Sequence, residues 1–374
     1  MSAAESLHSA SRQAGSLADV AGRGSARWLM GSLLIGIIGT AALVIGGLFD
    51  PAQFFRAYLA AYLFCLNMGL GAMVVLMVYH LTGGGWGFLV RRILEAGVKT
   101  LPLSAIGFLP VALGIHYLYP FAQPSAVAAS KLLQEQRGYM NDTFFWVRAA
   151  IYFVLWLITG FLLLHWSRAQ ERTGNPWYQQ ALTNVAAIGG VFFGISIHFA
   201  GIDWVLALQP EYHSTITGPL LVSQGLITGF GLTLIVLLSV CDRPPLGEVA
   251  TGKTLIDLGN LLLTFVVLWS YLAWFEFMLI WIANMQADVV WYGRRIDGFW
   301  RWLAVGIALL QFVVPFVFLL QRSIKRTPRA LRVIAALGLV MQMLFTHFQI
   351  LPAFRPAAFA DWWMSLVAPF GLGG

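Results

Sequence analysis

Nine apolar runs, each long enough to cross a bilayer, leave this chain one class of fold. They are 28–48, 57–80, 99–119, 144–166, 183–208, 216–240, 255–283, 300–320 and 331–351. A spanning helix needs about 20 predominantly apolar residues. Backbone polar groups in hydrocarbon must bond within their own segment, so runs of this length read as helices. The seventh, at about 43 Å for a rise of 1.5 Å per residue, must tilt or project. The expectation is an all-α integral membrane protein with nine to ten transmembrane helices, 28–374 forming one polytopic domain. Composition agrees: 10% of residues are charged, against roughly 25% in soluble domains, and mean hydropathy is +0.76.

Residues 1–27 are rich in Ser, Ala, Gly and Arg and read as a disordered cytoplasmic tail. The run from Trp28 to Leu48 is too long for a signal-peptide core and has no small-residue cleavage site before Asp50-Pro51, so it reads as a retained first span. The tail from Asp361 to Gly374 is too short to cross; it reads as a truncated last span or an interfacial helix.

The net charge of +7 is no nucleic-acid signal, because the basic residues sit in the connections between spans. There they report orientation. With the N-terminus inside, inner segments hold 15 Lys and Arg and outer segments 8. That bias favours a cytoplasmic N-terminus. The two cysteines, Cys65 and Cys241, form neither a disulfide framework nor a haem-attachment motif.

The stretch Ser196–Gly218, SIHFAGIDWVLALQPEYHSTITG, concentrates polar groups where a helix meets a turn. His198 and Asp203 lie five residues apart, about 140° around the helix, and do not face one partner. A carboxylate at membrane depth is a functional candidate by default, because its insertion is costly. Glu276 on the seventh run is deeper, with no cation within one helical turn, and suits a proton carrier. His116, Arg148 and His347 belong to the same outer half, and the six together suggest a polar track opening outward. The inner half offers His80 and His165 near the interface and Glu95 in a connecting loop. Structural readings stand beside these: Asp203 snorkelling or bonding a helix end, Glu276 bonded to a neighbouring helix, the histidines and Arg148 as satisfied interfacial groups.

Gly190 with Gly194, and Gly225 with Gly229, have the spacing that brings helices into close contact in lipid. Pro102, Pro110 and Pro315 predict kinks, with freed carbonyls met by neighbours or water. The outer connection 120–143 suits covering by a peripheral subunit. Trp291, Tyr292, Trp300 and Trp302 are interface anchors. No Walker or dinucleotide glycine fingerprint sits in the strand–helix context it requires. Haem b would need two histidines on facing helices at matching depth, and the spacing of His116, His198 and His347 is not specific for it. A secondary transporter would need broken helices and a midplane site built from repeats; no clear repeat is present.

Two stretches carry a resemblance: DWVLALQPEYHST at 203–215 and FMLIWIANMQADVVWYGRR at 277–295. With the order of spans, they resemble the polysulfide reductase membrane-subunit (NrfD-like) family over nearly all the chain from residue 28. Within it, the chain looks most like the second such subunits of alternative complex III, a quinol:cytochrome c oxidoreductase. The resemblance implies two four-helix bundles plus peripheral helices, usually ten spans. It implies as partners a second, similar membrane subunit, an iron–sulfur protein, and multihaem and monohaem cytochromes c, all in a bacterial inner membrane. Haem c and iron–sulfur clusters would belong to those partners, with no cofactor in this chain. Quinol oxidation would fall mainly to the other membrane subunit and proton conduction to this one, with Asp203, His198 and Glu276 as relay candidates. A quinone site of its own is the alternative. In one place the chain departs from such subunits: it has Ala287-Asp288 where they carry adjacent acids.

Overall fold

The computed structural model describes residues 30–241, 251–354 and 363–373, and the expected tail 1–27 lies outside them. Those residues are mostly helical, with no strand among them. Among the described residues nine helices are long and apolar enough to cross a membrane. They are α1 (Met30–Phe49), α2 (Pro51–Thr82), α3 (Trp86–Leu113), α4 (Asp142–Thr173), α5 (Pro176–Leu208), α6 (Thr217–Val240), α7 (Gly252–Ala283), α8 (Gly298–Leu320) and α9 (Pro328–Phe354). A shorter helix, α10, covers Trp363–Gly373.

Helix ends follow the local sequence. Asp50 caps α2 by accepting the Gln53 amide at 3.0 Å, with Pro51 in the first turn where its missing N–H costs nothing. Asn141 caps α4 through the Phe144 amide at 2.9 Å. Gly174 ends α4 at φ 63°, and Asn175-Pro176 starts α5 immediately. That tight link makes α4 and α5 an antiparallel pair.

Two four-helix bundles, α2–α5 and α6–α9, meet along α2 and α6, the most deeply buried spans. At the crossing, a Cβ on Gly71 would overlap the Gly225 carbonyl, and one on Gly229 would overlap the backbone of Gly71 and Ala72. Gly225 and Gly229 are therefore the packing face that their spacing predicts. Gly190 and Gly194 are not: a Cβ at either meets nothing. Their side of α5 points away from both bundles, so the same spacing serves no contact among the described residues. α10 packs on α2 and touches α1, where Gly371 lies against Gly39.

The third span departs from its expected limits. It begins at Trp86 rather than 99, because the amphipathic segment Trp86–Val98 is already helical. Breaks follow at Thr100 and Phe108, next to Pro102 and Pro110. Two tyrosine hydroxyls of α2 take carbonyls beside those breaks: Tyr62 donates to Ser104 O at 2.8 Å and Tyr58 to Gly107 O at 2.7 Å. Pro315 follows a π-helical stretch, Ala308–Val313. The connection 120–141 folds into short helices over the end of the first bundle.

Candidate functional site

Asp203 sits in the last turns of α5, fully buried at 0% exposure. Arg148 grips it with two nitrogens, Nε to Oδ2 at 2.8 Å and Nη2 to Oδ1 at 2.9 Å. Tyr152, one turn further along α4, donates to Oδ2 at 2.8 Å. The third Arg148 nitrogen donates to Tyr139 O at 2.8 Å, and the guanidinium lies 3.8 Å from the centre of the Tyr139 ring. Burial, and then the Asp203 charge, push the Tyr139 hydroxyl up to about 12. Asp203 thus neither snorkels nor caps a helix. It is half of a buried, bidentate ion pair that ties α4 to α5.

Glu276, on α7 and 6% exposed, has different surroundings. Its Oε1 accepts from Ser214 Oγ at 2.6 Å and from the Tyr212 hydroxyl at 3.0 Å. Both donors come from the turn that Pro210 forces after α5. Among the described residues no cation forms an ion pair with it. The Tyr212 ring stacks on Trp291, centroids 5.0 Å apart, which holds its hydroxyl on the carboxylate. Burial, and then the Glu276 charge, raise the Tyr212 hydroxyl well above its ordinary value.

Arg295 holds this turn in place and is missed by sequence reasoning, which treats it as a connection charge. It is 1% exposed. Its nitrogens donate to Phe348 O at 2.9 Å, Gln349 O at 2.6 Å, Trp291 O at 2.6 Å and Gln209 Oε1 at 3.0 Å. The guanidinium lies 3.5 Å from the centre of the Trp291 ring. Burial lowers its pKa to about 9, which leaves it charged at neutral pH. Every partner is neutral, so the charge is solvated by carbonyls in place of water. Gln349 also accepts from Gln224 Nε2 at 2.9 Å, which extends the polar network to the inter-bundle helix α6.

A cavity of about 330 Å³ separates the two carboxylate clusters. Its walls include Tyr139 from the first cluster, Tyr212 and Ser214 from the second, and His198 between them. His198 is half-buried against Gly218, where a Cβ would stand 2.6 Å from its Nδ1. The two halves of the 196–218 stretch therefore divide as the helical spacing requires: Asp203 turns into the bundle and His198 into the cavity.

The remaining candidates do not join. His116 is exposed, with Nδ1 2.7 Å from Ala122 O and Nε2 3.8 Å from Asp142. His347 is buried between α9 and α10, its nitrogens each 2.7 Å from a carbonyl, of Met343 and of Ser365. The Ser365 carbonyl is free to accept because Pro369, one turn on, has no N–H. At the other end of the molecule, Glu95 is not in a loop. It is on the helix Trp86–Val98, buried, with Arg91 at 3.1 Å, Arg92 at 2.7 Å and the Ser167 hydroxyl on it. Arg92 also pairs with Glu171. The signal in the sequence was the four-residue spacing of Arg91 and Glu95 within an amphipathic segment.

The chain matches no family model, and no curated protein aligns with it significantly.

Proposed function

We propose that this chain is an integral subunit of a respiratory quinol:cytochrome c oxidoreductase complex, structural and proton-conducting, with the redox centres on its partners. The observation that carries the reading is Glu276: a carboxylate within a membrane span, bonded among the described residues only by two hydroxyls that line a cavity. A carboxyl so held can exchange a proton through Ser214 or Tyr212 without breaking an ion pair. Asp203 is the less suitable relay, because Arg148 and Tyr152 already occupy it. Removing one partner of such a buried pair costs roughly 3–5 kcal/mol.

The respiratory setting rests on the resemblance, and one feature supports it. The two stretches that carry the likeness, 203–215 and 277–295, fold onto each other through the Tyr212–Trp291 stack and the Arg295–Gln209 bond. The partners on this reading are a similar membrane subunit, an iron–sulfur protein and multihaem and monohaem cytochromes c. The membrane is a bacterial inner membrane with the N-terminus inside, as the 15 to 8 bias of basic residues favours. Co-purification tests it. The tagged full chain, extracted in mild detergent, brings with it a haem c spectrum and an iron–sulfur protein. Recovery of the chain free of both contradicts the assignment.

The cavity favours a second reading, a quinone site on this subunit. About 330 Å³ lies in the range of small-molecule sites, and apolar walls with a few hydroxyls suit a quinone ring. A photoreactive quinone analogue that labels His198 or residues 212–215 supports it, and labelling confined to another subunit excludes it.

A further inference from the structure

At the end of the second bundle remote from Glu276, α6 and α8 finish and α7 and α9 begin. The α8–α9 connection carries Arg322, Lys325 and Arg326, and the first turns of α9 carry Arg329 and Arg332. Lys253 adds a sixth cation from the first turn of α7, beside Gly252, where a Cβ would stand 3.9 Å from Arg326 Cγ. The sequence contains no Asp or Glu between Asp297 and Asp361; the segment leading into and opening α7 holds Asp242 and Glu248 in the 242–250 stretch and Asp257 one turn after Lys253. Among the described residues none of the six cations forms an ion pair. Arg332 reaches only the Ser239 hydroxyl, at 3.4 Å.

One of them is seated rather than scattered. Lys325 is 6% exposed, and its stem runs over Gly259, where a Cβ would stand 2.6 Å from Lys325 Cγ. Its ammonium donates to Asn260 Oδ1 at 2.6 Å. An ammonium has three donors, so two remain for further oxygens. Arg322, Arg326 and Arg329 are exposed around it. We propose that Lys325, Asn260 and the surrounding arginines form a binding site for the headgroup of an anionic phospholipid. The lipid source follows from place. The cations stand within two turns of Leu320 and Pro328, where one span ends and the next begins, so they lie at headgroup depth. Basic pockets between the ends of spanning helices bind multiply charged phospholipid headgroups. Orientation signalling alone asks for positive charge near the spans; it does not ask for a glycine that admits a lysine stem.

The test uses the full chain in a neutral detergent. Diphosphatidylglycerol, phosphatidylcholine and inorganic phosphate are added separately, and bound lipid is read by native mass spectrometry. The variant R322Q/R326Q/R329Q removes three exposed charges without disturbing packing. K131Q/R137Q/R301Q removes three elsewhere as a charge-matched control. The wild type and the control bind diphosphatidylglycerol in preference to phosphatidylcholine. The first variant loses about fivefold per charge, roughly a hundredfold in all, and added salt weakens the wild type in the same direction. Equal binding by wild type and the first variant, equal loss in the control, or equal binding of phosphatidylcholine overturns the proposal. Displacement of the lipid by millimolar inorganic phosphate overturns it too, because the site would then be one for a free anion.

Discussion

The Tyr212 hydroxyl donates to Glu276 Oε1 at 3.0 Å across 64 residues of sequence. This bond joins the turn after α5 to the last third of α7 in the second bundle, and it makes the turn part of the carboxylate's surroundings. Tyr212→Phe keeps the stack on Trp291 and removes one donor. Its expected cost is about 1 kcal/mol of stability, with proton transfer slowed and the fold retained. Thermal unfolding of the purified chain and proton uptake by vesicles check the two parts separately.

The Arg148–Asp203 pair gives the opposite expectation. Asp203→Asn leaves a part-buried guanidinium with no countercharge and destabilises the chain by roughly 3 kcal/mol, the low end for a broken buried pair. Replacing both residues together with apolar ones of similar volume recovers most of that loss. A thermal series over the two single variants and the double variant measures it. Independent, additive losses would show that the pair does not act as one unit.

Arg295→Gln removes the donors that hold Phe348 O, Gln349 O and Gln209. The turn then loosens, and Tyr212 leaves Glu276. The expected cost is about 3 kcal/mol from unsatisfied buried acceptors, with greater protease access at 209–216. Limited proteolysis against wild type reads it.

The glycines separate by environment. Gly71→Leu forces α2 from α6 and costs roughly 3 kcal/mol or more. Gly190→Leu and Gly194→Leu leave the melting temperature of the isolated chain unchanged, because nothing stands within 4 Å of either Cβ position. A large loss at Gly190 would place an unseen contact on that face of α5.

The spans are legible in the sequence because every backbone group in hydrocarbon has to be satisfied locally, which forces long apolar runs. The pairing of small residues is legible only as spacing. Gly190–Gly194 and Gly225–Gly229 look alike in one dimension, and only the position of α2 distinguishes them. Asp203 and Glu276 stand out as acids among apolar residues, but their partners do not. Tyr152 reads as one more aromatic in a span, and Arg295 as one more loop cation. Glu95 was hidden for the same reason: the charged segment 91–95 resembles a connection until its helical period is taken together with the Ser167 hydroxyl of α4.

The central claim is that Glu276 carries protons. It is tested most directly by the proton-to-electron ratio of the assembled complex in sealed vesicles, wild type against Glu276→Gln. The amide keeps the shape and both hydroxyl contacts but cannot take up or release a proton. The account predicts a lower ratio with electron transfer and assembly retained. An unchanged ratio contradicts it.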